Sequence, residues 1–142
     1  MTIAAILKGK GDEVVSLPPS ATVAAAVALL AEKRIGAIPV VEGGRVAGVF
    51  SERDVIYCLA AQGAAALGKS VGEVMTAPAR TVSPDEPVLA ALAQMTRRRI
   101  RHLPVVDGEE LVGFVSIGDL VKYRIDGIER EAEAMRSYIQ SA

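Results

Sequence analysis

The stretch "RHLPVVDGEELVGFVSIGDL", residues 101–120, repeats the pattern of an earlier stretch, "GAIPVVEGGRVAGVFSERDV", residues 36–55. The two copies align without a gap and place Pro39 opposite Pro104, an offset of 65 residues that holds throughout. A repeat of this regularity predicts one supersecondary unit that the chain builds twice.

The residues around each copy predict the same order of elements. A short apolar strand precedes a helix with an apolar face, a β-hairpin that turns at glycine follows, and a second helix comes last. We therefore predict an α/β fold made of two β-α-β-β-α repeats. The predicted strands cover 14–17, 39–41 and 45–50 in the first copy and 81–82, 103–106 and 111–115 in the second; the helices cover 23–33 and 88–98, with others beginning at Ser51 and Ser116.

Two segments outside the repeats also carry a local pattern. The apolar lead, residues 3–7, predicts about one helical turn, and the glycine-containing linker predicts a short amphipathic helix. We divide the chain into residues 1–65, the first repeat with its lead, and residues 66–142, the linker helix, the second repeat and a C-terminal helix. The apolar positions of the linker helix are Val71, Val74 and Met75.

The C-terminal tail has an apolar stripe that the two repeats are too small to cover. Four apolar residues recur at helical spacing, which places them on one face of a helix. An uncovered face of this kind predicts a homodimer built on helices. The four residues are Ile128, Ala132, Met135 and Ile139.

Length and charge narrow the class of protein. The chain has 142 residues, of which 51% are hydrophobic, and each half alone would bury too little apolar surface to be comfortably stable. The halves are therefore expected to pack on each other, with clefts between them. A net charge of −1 provides no global field that would attract nucleic acid or an anionic membrane, so partners must be recognised by local chemistry.

Single residues exclude several kinds of site. Cys58 is the only cysteine and His102 the only histidine, so an intramolecular disulfide is excluded and a zinc site is not expected. No catalytic constellation can be assembled around His102, which argues against an enzyme. We recognise no signal peptide and no apolar run of membrane-spanning length, and expect a cytoplasmic protein.

The pattern Gly-x-x-Ser-x-x-Asp closes each copy and has two interpretations. Ser-x-x-Asp is a capping box, in which the serine and the acid satisfy the first amides of a helix. A helix N-terminus also attracts phosphate, and a carboxylate can accept hydrogen bonds from a ribose diol. Two occurrences behind the same hairpin favour a ligand-binding role in addition to capping.

The segments "IPVVEGGRVAGVFSERD" and "LPVVDGEELVGFVSIGD", preceded by "SLPPSATVAAAV" and "TVSPDEPVLAAL", resemble two tandem cystathionine β-synthase (CBS) domains, a pair known as a Bateman module. The resemblance covers residues 14–121. It implies two repeats packed about a pseudo-twofold axis, with two clefts between them. It also implies an adenosine-containing ligand: AMP first, with ADP, ATP, NAD(H) or S-adenosylmethionine as alternatives.

The resemblance further implies a role for each residue that matches a family motif. The motif carboxylates would hold ribose, the motif serines would meet phosphate, and a hydroxyl of each first strand would approach from the opposite wall: Asp54 and Asp119, Ser51 and Ser116, Ser16 and Thr81. The start of each hairpin would line the adenine pocket, with Ala37, Ile38 and Pro39 in the first copy and His102, Leu103 and Pro104 in the second.

The two clefts are expected to differ, and we favour the second. Arg101 and His102 precede its hairpin, and Gly118 at its helix start lets the backbone approach a phosphate. In the first copy Arg53 takes the place of Gly118, where it can pair with a phosphate or point to solvent.

The only basic cluster is "TRRRIRH", residues 96–102. Cations at the end of a helix are favoured by its dipole, so a solvated helix end is the plain interpretation. A phosphate contact, above all by Arg101, is the second, and nucleic acid is the least favoured because no aromatic stacking partners lie near in the sequence.

Three functions remain for comparison. The first is a non-enzymatic regulatory module that binds adenine nucleotide and signals by a change of shape or assembly to a separate effector protein. The second is a regulatory relative of inosine monophosphate dehydrogenase, an enzyme that carries a CBS pair. The third is an interaction or DNA-associated structural protein with vestigial clefts.

Overall fold

The computed structural model describes residues 1–11 and 13–141. Within them, helices and two-stranded antiparallel sheets alternate in the order that the repeat predicts. The elements are α1 (Ile3–Lys10), α2 (Val23–Lys33), β1 (Ala37–Glu42), β2 (Arg45–Ser51), α3 (Glu52–Gln62), a 3₁₀ helix (Gly63–Gly68), α4 (Val71–Val74), α5 (Val88–Arg98), β3 (His102–Asp107), β4 (Glu110–Ser116) and α6 (Ile117–Ser141).

The two hairpins have the same register. Ala37 pairs with Ser51 in β1–β2, and His102 pairs with Ser116 in β3–β4, each 65 residues further along. Both hairpins carry an irregularity at the same place, after Val40 and after Val105. The repetition of sequence is therefore a repetition of backbone geometry.

The strand predicted ahead of the first helix of each repeat was too long. In the first repeat the expected strand over 14–17 is reduced to one parallel bridge, in which Leu17 lies beside Val40. In the second, Val82 forms the equivalent bridge with Val105. Prolines 18–19 in the first case and Pro84 in the second end the extended stretch, since proline has no amide to donate.

Two hydrophobic cores form, one in each repeat, and they exchange their flanking segments. Ile3 and Ile6 of α1 lie in the core of the second repeat, although the lead precedes the first repeat in the chain. Ala66 and Val71, from the segment that follows the first repeat, lie in the core of the first. The lead that the sequence analysis grouped with the first repeat thus packs on the second.

The exchanged segments cover the outer strands of the two hairpins differently. Beside β2, Thr76 pairs with Val49 through two backbone hydrogen bonds of 2.9 and 3.0 Å. Beside β4, helix α1 places Leu7 against Gly113, so close that a Cβ on this glycine would lie 2.5 Å from the leucine Cδ2. One edge is closed by backbone pairing, and the other is covered by a helix.

The last helix, α6, continues through Gly127 without a break and includes the predicted tail as far as Ser141. Its apolar stripe is exposed: the exposed fraction is 47% for Ile128, 60% for Met135 and 65% for Ile139. Among the described helices, none combines the length and the apolar character that a membrane crossing requires.

Candidate functional site

The two repeats meet where their hairpins begin. Within each repeat, a backbone hydrogen bond joins the residue before the hairpin to the start of the helix that follows it. The amide of Glu52 donates to the carbonyl of Gly36 (3.0 Å), and the amide of Ile117 donates to the carbonyl of Arg101 (2.7 Å). A Cβ on Gly36 would lie 3.3 Å from the His102 ring, so the hairpin starts of opposite repeats are neighbours. Two clefts open at this junction: the first cleft beside the helix start at Ser51, and the second cleft beside the helix start at Ser116.

At the first helix start, Ser51 and Asp54 form a complete capping box. The amide of Ser51 donates to Oδ2 of Asp54 at 2.9 Å, and the serine oxygen accepts from the Asp54 amide. The other oxygen, Oδ1, accepts from the hydroxyl of Thr76 at 2.9 Å. Asp54 is 9% exposed and belongs to the packed frame beneath the first cleft.

At the second helix start, Ser116 and Asp119 make the same reciprocal bonds, at 2.8 and 3.1 Å. Here the additional partner is a cation, because Nζ of Lys10 lies 2.6 Å from Oδ2 of Asp119 and also donates to the carbonyl of Phe114. Burial alone would raise the pKa of Asp119, but the hydrogen bonds from Lys10 and Ser116 and the lysine charge outweigh it and lower the pKa.

The capping box predicted for Ser-x-x-Asp is therefore present in both copies. Each carboxylate already accepts from its own helix start and from a residue of an exchanged segment, Thr76 in one case and Lys10 in the other. A ribose contact by Asp54 or Asp119 would share or displace these partners. The ligand role of both residues stays a prediction.

The first cleft is open and large, with a volume of about 770 Å³. One part of its wall is apolar and includes the exposed side chains of Ile56 and Tyr57 on α3. The charged part consists of one acid, Glu52, and five arginines from three separate stretches of the sequence: Arg53, Arg80, Arg97, Arg98 and Arg101.

The second cleft is about half as large, at about 370 Å³. Its charged residues balance, because two cations, Lys10 and Arg34, face two acids, Glu13 and Asp119. The lysine and Asp119 already form an ion pair with each other. This cleft offers a ligand much less unpaired charge than the first.

His102 lines both clefts. Its ring stacks on Phe114, with centroids 5.6 Å apart and planes inclined by 12°. Burial is the main cause that lowers the pKa of His102, the Lys10 charge adds to it, and Asp119 and Glu52 oppose it. The side chain is therefore held neutral near physiological pH.

Among the residues predicted to line the adenine pockets, Ala37 and His102 lie on the clefts and the others do not. Ile38, Pro39, Leu103 and Pro104 are buried, Ile38 and Leu103 with no exposed surface. Strand alternation accounts for part of this, since neighbouring side chains in a hairpin point to opposite faces.

The residues at the hairpin starts are distributed over both clefts. Arg101, expected beside Asp119, lines the first cleft together with Ser51 and Arg53, whereas Ala37 lines the second with Ser116 as well as the first. Each cleft is assembled from both repeats, and a local sequence pattern does not show which repeat supplies the facing wall.

The remaining predicted residues lie next to the clefts. Ser16 is one residue beyond Val15, which lines the second cleft, and Thr81 is one residue beyond Arg80, which lines the first. The space beside Gly118 contains one near atom, the Ser116 hydroxyl at 3.6 Å from a virtual Cβ. The binding roles of these three stay predictions.

The sequence analysis missed Lys10, Thr76 and the contribution of Arg80, Arg97 and Arg98. Arg97 and Arg98 belong to the basic cluster at residues 96–102, which the plain interpretation assigned to a solvated helix end, whereas Arg80 lies outside that cluster. Lys10 and Met75, the neighbour of Thr76, stand 65 residues apart, so the repeat offset could have drawn attention to both exchanged segments. In the part of the chain that the structure describes, no group of His, Cys, Asp or Glu could hold a metal ion.

The chain belongs to the CBS domain family, whose profile matches residues 11–61 and 71–126. It is similar to the CBS domain-containing protein CBSX3, mitochondrial, of Arabidopsis thaliana, with 34% identity over 98% of this chain and 72% of the relative. A putative signal-transduction protein with CBS domains from Burkholderia ambifaria has a similar solved structure: TM-score 0.82, 41% identity, 89% of this chain and 95% of that one.

Two further similar structures contain adenosine compounds. The CBS domain protein PAE2072 of Pyrobaculum aerophilum, in complex with AMP, has a TM-score of 0.74 and 32% identity over 84% of this chain and 89% of its own. The CBS domain pair of MJ0100, in complex with 5′-methylthioadenosine and S-adenosyl-L-methionine, has a TM-score of 0.77 and 25% identity over 91% and 98%. The expected fold, a pair of CBS repeats, is confirmed.

Proposed function

We propose that the chain is a regulatory module that binds an adenosine-containing ligand in the first cleft. The observation that carries this proposal is the composition of that cleft, which combines an apolar wall with a cluster of arginines. A nucleoside phosphate has the same two parts, a flat apolar base and an anionic tail. The ligands in the similar structures support the adenosine part.

The apolar wall offers two places for a base. Tyr57 is 65% exposed and Ile56 is 64% exposed on the cleft side of α3. A base that covers these side chains removes apolar surface from water, which contributes favourably to the free energy of binding. An aromatic face such as that of Tyr57 also stacks favourably on a purine. The sugar and the tail would then extend toward Ser51 and the arginines.

The preference for the second cleft is replaced by a preference for the first. In the second cleft the Lys10–Asp119 pair occupies the carboxylate that ribose would need, and the remaining charges balance. A ligand there would have to displace an internal cation. AMP, ADP, ATP and NAD(H) all remain candidates for the first cleft under this proposal.

The regulatory output would be a change of shape or assembly, transmitted to a separate effector. Both repeats contribute walls to the first cleft, so a ligand that fills it stabilises one relative arrangement of the repeats. The exposed stripe on α6 is the surface on which we expect a homodimer to form. The predicted cytoplasmic location also stays a proposal.

A thermal-shift and calorimetric screen tests the function. The ligands are adenosine, AMP, ADP, ATP, NAD, NADH and S-adenosylmethionine, with GMP and GTP as base controls. A ligand at about 100 times its dissociation constant should stabilise the folded state by about 2.7 kcal/mol. If no adenine compound at millimolar concentration changes the melting temperature or gives binding heat, the interpretation with vestigial clefts replaces this one.

Sedimentation velocity at tens of micromolar tests the homodimer, with and without the best ligand. Met135→Asp, placed within the exposed stripe, should give a monomer that still binds ligand. A monomer in the unmodified protein under both conditions would contradict the expected dimer.

A further inference from the structure

We infer that the ligand of the first cleft carries a chain of two or more phosphate groups, so that the module responds to ADP, ATP or a dinucleotide more strongly than to AMP. This inference rests on the proposed function. It concerns the charge of the ligand, whereas the proposed function concerns its base and sugar.

The arginines converge on one space from separate parts of the fold. Arg53 lies in the first turn of α3, Arg80 in the segment before the second repeat, Arg97 and Arg98 at the end of α5, and Arg101 just before β3. Three separate stretches of the sequence, around residue 53, around residue 80 and at residues 97–101, thus contribute arginines to the wall of one cleft. A helix end alone would have explained only the two from α5.

Within residues 1–11 and 13–141, no salt bridge neutralises the arginines of the first cleft. Among the described residues, none of the five forms a salt bridge, and the only acid on the cleft wall is Glu52. Arg53 donates to the carbonyl of Arg99, which leaves its charge uncompensated. Five cations that share one cleft repel each other, and an anion in the cleft would relieve that repulsion.

The number of arginines exceeds what one phosphate can use. A single phosphate group has three outer oxygens and is well satisfied by one bidentate guanidinium and the amides of a helix start. Five guanidinium groups match the larger number of oxygens on a diphosphate or triphosphate chain. The same charge disfavours S-adenosylmethionine, whose sulfonium group is a cation.

The contrast with the second cleft shows that this excess is not a general feature of the repeat. At the repeat offset, Arg53 corresponds to Gly118 and Arg97 to Glu32, and the charges that line the second cleft balance. The excess therefore belongs to one cleft, in a chain whose net charge is −1.

The test compares dissociation constants for adenosine, AMP, ADP, ATP, NAD and inorganic tripolyphosphate, measured by calorimetry at two salt concentrations. We expect affinity to rise by about tenfold or more from AMP to ADP or ATP, because charge-assisted hydrogen bonds are the strong ones. We also expect the affinity for ATP to fall more steeply with salt than that for AMP, because it involves more charges.

The variant Arg53→Gln/Arg101→Gln should remove most of the preference for ATP over AMP. Lys33→Gln/Arg45→Gln is the matched control, since it also removes two cations, both at exposed positions away from the clefts. The control should keep the preference. Melting curves without ligand establish that both variants fold, and the comparison of ligands on the unmodified protein does not depend on either variant.

The outcomes separate this inference from the proposed function. Equal affinity for AMP and ATP, or a preference that survives Arg53→Gln/Arg101→Gln, would overturn the inference and leave the adenosine-binding function in place. Binding of tripolyphosphate without binding of any adenosine compound would overturn the proposed function and retain the oligophosphate site. Binding of none of the probes would overturn both.

Discussion

The two clefts of this protein share one backbone plan and differ in almost every charge. Both lie beside a Ser-x-x-Asp capping box that follows a hairpin of identical register. The first holds five arginines against one acid, whereas the second holds two cations against two acids, one pair of which is already formed. A cleft lies beside each copy of the repeated motif, and residues that differ between the copies or come from other segments determine the balance of charge in each cleft.

The partners of the two motif carboxylates show how this difference arises. Thr76 reaches Asp54 from the linker, and Lys10 reaches Asp119 from the N-terminal lead, so each repeat is completed by the segment that precedes the other. A neutral hydroxyl completes one site and a cation completes the other. The charge of Asp119 is therefore paired with a cation within the protein, whereas Asp54 has only neutral hydrogen-bond partners.

The largest expected effect compares the two cores beneath the clefts. Phe50 and Val115 stand at equivalent positions, and both are fully buried. Phe50→Ala should lower the free energy of unfolding by about 3–5 kcal/mol, because it removes a whole ring and leaves a cavity. Val115→Ala removes two methyl groups and should cost about half as much. Urea denaturation measures both losses. Equal losses would contradict the expectation that removing the Phe50 ring costs more than removing the Val115 methyl groups.

The second comparison uses two equivalent glycines next to the exchanged segments. A Cβ on Gly48 would lie 2.7 Å from the backbone oxygen of Thr76, whereas a Cβ on Gly113 would meet the end of the Leu7 side chain. Backbone cannot move aside as a side chain can, so Gly48→Ala should cost about 1–3 kcal/mol and Gly113→Ala less. The reverse order in chemical denaturation would mean that α1 is held more rigidly than the linker.

The third comparison concerns the motif carboxylates. Asp54→Ala should lower stability by about 1–2 kcal/mol, because Asp54 is buried and its loss leaves an amide and the Thr76 hydroxyl without their acceptor. Asp119→Ala should cost less, since Asp119 and Lys10 are 30% and 40% exposed and solvent screens their pair.

Melting temperature without ligand, measured together with the dissociation constant for ATP, separates capping from binding for these two acids. We expect Asp54→Ala to weaken ATP binding and Asp119→Ala to leave it nearly unchanged. Loss of ATP binding in Asp119→Ala alone would restore the second cleft as the main site.

The smallest expected effect is a pH dependence from His102. Burial and the Lys10 charge lower its pKa below 6.5, while Asp119 and Glu52 oppose this and Arg101 adds to it. As the pH is lowered below about 6.5, the unfolded chain takes up a proton before the folded protein does, so the free energy of unfolding decreases. The variant His102→Ala places an alanine where the first repeat has Ala37, and it should reduce this loss of stability at low pH.

Melting curves between pH 7.5 and 5 for both proteins, each referred to its own value at pH 7.5, measure this contribution, which we expect to stay below about 1 kcal/mol. Identical curves for the two proteins would mean that His102 titrates normally. A steeper fall in His102→Ala would contradict the lowered pKa.

The repeat itself made much of the fold predictable. Two copies with the same turn glycines and the same apolar spacing gave α2 and α5 with the observed bounds, both hairpins and the helix starts at Ser51 and Ser116. These elements follow from local rules of periodicity, turn chemistry and capping. The first strands were overestimated because a few β-branched residues favour extended backbone but do not show how many residues will pair.

The candidate site was predictable only in part, for a physical reason. The local sequence determined the motifs, the capping boxes and the basic cluster, each of which depends on residues a few positions apart. Only the tertiary structure decided that Arg80 and Arg101 face Ser51, that Lys10 pairs with Asp119 and that α1 packs on the second repeat. Such contacts join residues as many as 109 positions apart, and they depend on how two cores share their flanking segments, which no local pattern encodes.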